Sequence, residues 1–139
     1  MNYNIQVTSW EKDKSALSKI RQKVFIEEQN VPEELEWDDD DKNCVHVLVT
    51  HNNTPIATGR IKMDGHIGRI AVLKNYRDKG IGSAVLKALI DVSKTLKIKS
   101  IYLHAQIGAI SFYEKHGFKI SSEEFMDAGI PHKTMKMDL

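Results

Sequence analysis

The sequence predicts an α+β fold with a mixed, mostly antiparallel central sheet of about six to seven strands flanked by helices. Three successive apolar runs separated by turn signals indicate antiparallel strands. A long amphipathic helix pattern and a β-branched, aromatic-rich run follow. The last of the three strands, the helix and the next strand should therefore form a right-handed β-α-β unit with parallel strands. At 139 residues, the chain is expected to form one domain, residues 1–139.

The first part of the chain predicts one strand and one helix. The strand is placed at 5–8, and the helix at about 12–29, because apolar residues recur at helical spacing over 17–24. Val31-Pro32 ends this helix, since proline disfavours helical geometry at the residue before it. The acidic stretch 33–41 is expected to be a loop with one short helical turn.

Three strands follow, at 45–50, 56–63 and 67–73. The segment 51–55 carries asparagine and proline, which favour a turn. Asp64-Gly65 is a strong hairpin signal. These signals predict that the three strands pair in antiparallel succession.

The last part of the chain predicts two helices and three strands. The long helix carries one apolar stripe, the next strand is rich in β-branched and aromatic residues, and a glycine ends the short helix. The closing strand alternates apolar and polar residues. The predicted elements are a helix at about 80–96, a strand at 100–105, a helix at about 108–116, and strands at 118–120 and 133–137.

Composition and charge exclude several classes of function. Lysine and arginine number 20 against 19 acidic residues, a net charge of +1, so nothing favours a nucleic acid or a membrane as partner. Cys44 is the single cysteine, which fits a reducing, cytoplasmic setting. The N-terminus does not resemble a signal peptide. The six histidines lack the spacing of zinc ligands, so no metal is expected.

The segment 70–83 predicts an anion site. An apolar strand ends, a basic turn containing glycine follows, and a helix begins at once. Helix starts leave backbone N–H groups unpaired and carry partial positive charge. Gly80 and Gly82 let a large anion approach the backbone, and Arg77 and Lys79 add cations. The alternative is a tight turn without a ligand.

Two motifs and the element order resemble the GNAT superfamily of acyl-CoA-dependent N-acyltransferases. The superfamily's turn, Gln or Arg followed by two variable residues, Gly, a variable residue and Gly or Ala, is matched at 77–82. The run A-I-S-F-Y-E-K-H-G-F at 109–118 matches a second family feature. The resemblance implies the acyl-CoA N-acyltransferase fold. Segments 21–32, 104–106 and 128–132 resemble a small bacterial single-domain subgroup of unassigned substrate.

The resemblance also implies residue roles. Tyr113 stands where the family commonly has a general acid, and Gln106 where many members have a cofactor-binding asparagine. Glu28 and His132 are predicted to lie in the acceptor pocket. The backbone of Ile70, Ala71 and Val72 would bind the pantetheine arm, and the pyrophosphate would be bound by Arg77, Asp78, Lys79, Gly80, Ile81, Gly82 and Ser83.

The predicted function is transfer of an acetyl group from acetyl-CoA, as co-substrate, to a primary amine of a small molecule or peptide by direct attack in a ternary complex. The resemblance implies that the N–H of Val72 is the oxyanion donor. The alternative is a non-catalytic acyl-CoA-binding or sensing module on the same fold. A homodimer is possible. The general base stays open among Glu27, Glu28, Glu34, Glu36, His46 and His132.

Overall fold

A computed structural model describes residues 2–139. The described strands are β1 (Asn4–Thr8), β2 (Val45–His51), β3 (Thr54–Ile61), β4 (Ile67–Val72), β5 (Ser100–Gln106), β6 (Lys119–Ile120), β7 (Phe125–Asp127) and β8 (Ile130–Asp138). The α-helices are α1 (Trp10–Arg21), α2 (Glu33–Glu36), α3 (Ile81–Thr95) and α4 (Ile110–Lys115), with a π-helix at Gln22–Glu28 and 3₁₀ turns at Asp41–Asn43, Lys74–Tyr76 and Ile107–Ala109. The α+β class is confirmed.

The strands form two antiparallel sheets. The first has the order β1-β2-β3-β4, and the second has the order β5-β8-β6 with β7 paired to β8. One parallel bridge, His66 with Tyr102, joins β5 to the turn before β4, and the Tyr102 N–H donates to the Gly65 carbonyl at 3.0 Å. The predicted parallel β-α-β pairing is therefore reduced to this single bridge, and the two sheets separate beyond it.

The two long helices cover opposite faces of the first sheet. Alternate residues of a strand face opposite sides, so Val47 joins the apolar cluster under α3 while Leu48 joins the one under α1. A Cβ added at Gly59 in β3 would lie 2.8 Å from Val85 Cγ1 of α3. This glycine therefore allows the helix to lie close to the sheet.

Several predicted boundaries were wrong. The predicted helix at 12–29 is two elements: α1 begins at Trp10 after Ser9 caps it, and from Gln22 the chain is π-helical. Hydrogen-bonding five residues apart, as from Gln29 N–H to the Val24 carbonyl at 3.1 Å, widens the turn. The last strand begins at Ile130 rather than at 133.

The acidic stretch is more ordered than predicted, with α2 and a 3₁₀ turn, and β7 was not predicted because its three residues carry too short a pattern. None of the helices described between residues 2 and 139 has the length and apolar character needed to cross a membrane.

Candidate active site

The separation of the two sheets opens a pocket of about 350 Å³ between β4 and β5. The end of the π-helical segment, β4, β5, α4 and β8 contribute its walls. Four of the predicted site residues line it: Ile70, Gln106, Tyr113 and His132. The pocket therefore brings together residues from both sheets that lie far apart in the sequence.

The edge of β4 that faces the second sheet carries free backbone groups. In an antiparallel ladder, neighbouring residues direct their backbone groups to opposite sides. The Leu73 N–H donates to the Ile56 carbonyl of β3 at 2.9 Å, so the N–H and carbonyl of Val72 point away from β3. The Val72 carbonyl indeed accepts from Arg77 Nε at 2.9 Å. The Val72 N–H therefore points to the side of β4 away from β3.

A β-bulge bends β4 a few residues before Val72. The β3–β4 register shifts between Thr58 and Arg60, and Arg69 on the opposite strand has φ of 54°. A bulge bends the strand and redirects side chains. Arg69 and Ile70 both line the pocket as a result.

The N-terminus of α3 is open. Gly80 adopts the left-handed conformation (φ 79°, ψ 6°), and no side chain caps the helix. The Ala84 N–H is bonded to the Gly80 carbonyl, so the N–H groups of Ile81, Gly82 and Ser83 precede the first helical bond. A Cβ at Gly82 would lie 3.8 Å from Val72 Cγ2, which places this helix start beside the end of β4.

The residues flanking the start of α3 differ in backbone conformation, hydrogen bonding and exposure. Asp78 has φ of 62°, a conformation that tightens the turn before Gly80. The Ser83 hydroxyl is hydrogen-bonded to the ring of His116 at 3.1 Å. Lys79 is exposed beside the turn. The predicted pyrophosphate residues 77–83 therefore lie together, outside the residues that line the pocket.

Arg77 and Glu28, predicted for two different sites, bind each other. Arg77 Nη1 and Nη2 donate to the two Glu28 oxygens at 2.6 and 2.7 Å. The hydrogen bonds from Arg77 lower the pKa of the Glu28 carboxyl, and the Glu28 partner raises the pKa of Arg77. Glu28 does not line the pocket, so its place in the acceptor site stays a prediction.

Gln106 makes a similar contact from the other sheet. Its Nε2 donates to Gln29 Oε1 at 3.0 Å. Glu28 and Gln29 are neighbours at the end of the π-helix. This segment therefore contacts Arg77, which follows β4, and Gln106, which ends β5. The predicted cofactor amide is engaged by the chain itself.

Tyr113 lies on α4 with its ring among aromatic neighbours, 5.1 Å from Phe112 and 6.0 Å from Phe118 between centroids. Burial raises the pKa of its hydroxyl to about 12. The hydroxyl is therefore protonated at neutral pH and can act as a proton donor.

His132 is fixed in one tautomer. Its Nδ1 lies 2.7 Å from the Ile130 carbonyl, and a carbonyl only accepts, so Nδ1 carries the proton. Nε2 is therefore the ring nitrogen that can accept a proton. His132 pairs with Gln106 across β5 and β8, so both side chains share one face of the sheet.

The other candidates for the general base are less well placed. Glu36 lines the pocket but is 3% exposed, and Arg21 Nε binds it at 2.7 Å; burial raises the pKa of its carboxyl. His46 is bound to the Asp41 carbonyl at 2.8 Å and does not line the pocket. Glu27 and Glu34 are exposed and also lie outside it.

Two side-chain clusters at the pocket, one ionic and one aromatic, were not predicted. One is an ionic network formed by Arg21, Glu36, Asp38, Asp41, Arg60 and Arg69. The other stacks His66 on Tyr102 at 4.7 Å and against His104 at 4.8 Å; burial lowers the pKa of His66 to about 4. Arginines inside predicted strands are the signal that could have indicated the first cluster.

Among residues 2–139, no group of three or more histidine, cysteine, aspartate or glutamate side chains is placed to hold a metal ion.

Comparisons with known proteins identify the family. A model described as "Acetyltransferase (GNAT) domain" matches residues 11–139. The chain belongs to the GNAT acetyltransferase family. It is 42% identical to the uncharacterized protein YyaT of Bacillus subtilis (strain 168), covering 98% of this chain and 96% of that protein. It is 41% identical to the uncharacterized N-acetyltransferase YjcF of the same organism, covering 86% and 88%.

Solved structures share the fold of this chain. The crystal structure of Escherichia coli ElaA superposes with a TM-score of 0.89 at 26% identity and covers 99% of this chain and 100% of that chain. A GNAT family acetyltransferase from Elizabethkingia anophelis with acetyl-CoA bound has a TM-score of 0.77 at 20% identity, with 99% of each chain covered. The second likeness shows the shared fold.

Proposed function

We propose that this GNAT protein transfers an acetyl group from acetyl-CoA to a primary amine by direct attack in a ternary complex. The observation that carries the proposal is the uncapped N-terminus of α3, which lies beside the free N–H of Val72. A helix start of this kind binds phosphates. The Elizabethkingia anophelis neighbour, which holds acetyl-CoA on the same fold, supports the assignment.

The residues present suit acetyl-CoA, which would supply an activated acetyl thioester. Residues 81–83 offer backbone N–H groups to the diphosphate, and the open edge of β4 at 70–72 offers backbone groups to the pantetheine arm. Arg77 joins the diphosphate when it leaves Glu28. Gln106 joins the site when its amide leaves Gln29.

Two pocket residues, His132 and Tyr113, and the backbone of Val72 at the end of β4 supply the groups that the transfer needs. His132 Nε2 takes a proton from the acceptor ammonium, since only the neutral amine attacks. The Val72 N–H stabilises the negative charge on the carbonyl oxygen as the C–N bond forms. Tyr113 Oη gives its proton to the departing sulfur as the C–S bond breaks, and the second proton that the attacking nitrogen loses returns to Tyr113.

The change Tyr113→Phe tests the proposed acid. It should lower turnover by about 10²-fold or more, because the leaving thiolate loses its proton donor. The measurement is thiol release with saturating acetyl-CoA over a panel of primary amines. Tyr102→Phe is the matched control, because that hydroxyl binds Asp64 at 2.8 Å and Tyr102 does not line the pocket. Equal turnover of Tyr113→Phe and wild type would remove Tyr113 from this role.

The same assay separates the enzyme from a sensing module. Coenzyme A binding without turnover on any amine would favour a non-catalytic acyl-CoA-binding module. Organisation as one domain over 1–139, a homodimer and a cytoplasmic location stay predictions.

A further inference from the structure

One wall of the pocket presents a guanidinium with donors to spare. Arg69 projects from the β4 bulge and lines the pocket with its side chain 26% exposed. Its Nη2 donates to the carbonyl of Glu36 at 3.1 Å, and lies 3.3 Å from both the Leu35 carbonyl and Asp38 Oδ2. These contacts use one nitrogen and fix the guanidinium plane.

The remaining nitrogens of Arg69 are not fully used. Nη1 donates no hydrogen bond within the described chain. Nε lies 3.1 Å from Glu36 Oε2, yet it is a buried side-chain polar atom without a hydrogen-bond partner. Nη1 is therefore the nitrogen left for a ligand, and a carboxylate there would form charge-assisted hydrogen bonds.

The other cations of the pocket wall already have partners. Arg60 is 4% exposed and binds Asp38 at 2.9 Å and Asp41 at 2.6 Å. Lys62 Nζ binds Asp40 at 2.7 Å. Arg69 pairs with Glu36 and Asp38 as well, but its side chain is 26% exposed against 5% for Arg60, and its Nη1 is not engaged by the described residues, so Arg69 offers N–H groups to a ligand.

We propose that the acceptor is a small primary amine that also bears a carboxylate, and that Arg69 binds this carboxylate. The inference rests on the proposed acetyl transfer. A guanidinium edge and a carboxylate match in shape and charge. The amine would lie toward the opposite wall, where Gln106 and His132 share a face of the second sheet.

The size of the pocket favours a small molecule over a folded protein. Its volume of about 350 Å³ lies near the lower end of ligand pockets. Asp127 lines the same pocket and is exposed, so it offers a carboxylate to attract the ammonium group. The two charges of the acceptor thus meet opposite charges on different walls.

The test compares matched acceptors in the thiol-release assay. Each amino acid, including those with the amine at the end of the side chain, is paired with its carboxamide. Wild type should prefer the carboxylates in kcat/KM by about tenfold or more, since a hydrogen bond to a charged group is worth that much. Arg69→Gln should bring this ratio close to one, and Arg69→Lys should retain part of it.

A purely structural role of Arg69 gives a different result, because Arg69→Gln would then lower both members of each pair equally. Asp38→Asn is the control that loosens the guanidinium without removing it, and the carboxylate preference should survive that change. Wild-type turnover without any preference for carboxylates overturns the inference and leaves the acetyl transfer intact. Preference for peptides with a free C-terminus over all small acceptors overturns the small-molecule assignment. Absence of turnover with every amine contradicts the proposed function itself.

Discussion

Two ion pairs in this molecule differ sharply in exposure. Arg77 and Glu28 are 35% and 39% exposed, whereas Arg21 and its partners Glu36 and Asp41 are 1–3% exposed. An exposed pair contributes little to stability and exchanges readily with other ions. A buried pair is costly to break, because a charge is left without a partner. Another anion can thus replace Glu28 as the partner of Arg77, whereas Arg21 stays bound to Glu36 and Asp41 as long as the protein is folded.

This difference suits the two halves of the proposed reaction. In the proposed reaction, Arg77 beside the α3 start exchanges the Glu28 carboxylate for a diphosphate in each turnover. The acidic stretch 33–41 must keep the pocket wall in one geometry, and Arg21 anchors this stretch through Glu36 and Asp41. The Arg21 guanidinium lies between Trp10 and Trp37, 5.4 and 5.2 Å from their ring centroids.

Breaking the buried pair should have the largest effect. Arg21→Met keeps the apolar stem but leaves Glu36 and Asp41 short of a partner, so the free energy of unfolding should fall by about 3 kcal/mol or more. Urea unfolding at neutral pH measures it. The matched change in the exposed pair, Glu28→Gln, should cost less than about 1 kcal/mol. Equal small losses for both variants would contradict the contrast between the pairs.

The second-largest effect should be a loss of stability at low pH that depends on Asp38 in the ionic network. Burial alone would raise the pKa of Asp38, but the hydrogen bonds from Arg60 and the charges of Arg60 and Arg69 outweigh it and lower the pKa to about 2. A carboxyl whose pKa is lower in the folded state stabilises the fold above its unfolded pKa. This stability is lost as pH falls through the folded value.

Wild type should therefore lose the Asp38 contribution between about pH 4 and about pH 2. Asp38→Asn should show a flatter loss over that range. The measurement is the difference in unfolding free energy between variant and wild type at several pH values. The raised pKa of Glu36 changes stability with pH in the opposite direction. Because Glu36 is present in both proteins, subtracting wild type from the variant removes its contribution. Parallel curves would show that Asp38 does not carry the dependence.

Releasing Arg77 from Glu28 should have the smallest effect, a modest change in the affinity for coenzyme A. Glu28→Gln removes the charge that competes for the guanidinium, so coenzyme A should bind a few-fold more tightly, by up to about fivefold. Isothermal titration measures the affinity. Weaker binding by Glu28→Gln would mean that Glu28 supports the coenzyme A site rather than competing with it.

The parts of the fold and site set by local sequence could be predicted. Gly80, Gly82 and the apolar stripe of α3 form one continuous segment, so the helix start follows from local rules. The Tyr113 position came from a motif on one short helix. His132 entered the prediction through residue type and through a subgroup resemblance, and the register of β5 with β8 is what places it beside Gln106.

Features that depend on distant contacts could not be predicted. Arg77 meets Glu28 across 49 residues, and the network joins Arg21 to Asp41 across 20. The division into two sheets also has no local signal, since it depends on how β4 and β5 pack against the helices. The π-helix shifts Glu28 and Gln29 by one position relative to a regular helix.

Calorimetric titration with coenzyme A and with pantetheine, which lacks the diphosphate, tests the central claim most directly. Coenzyme A should bind much more tightly than pantetheine, and it should protect the amides of residues 81–83 from hydrogen exchange. Equal affinities for the two molecules, or unchanged exchange at those amides, would contradict the claim that the open start of α3 holds the diphosphate.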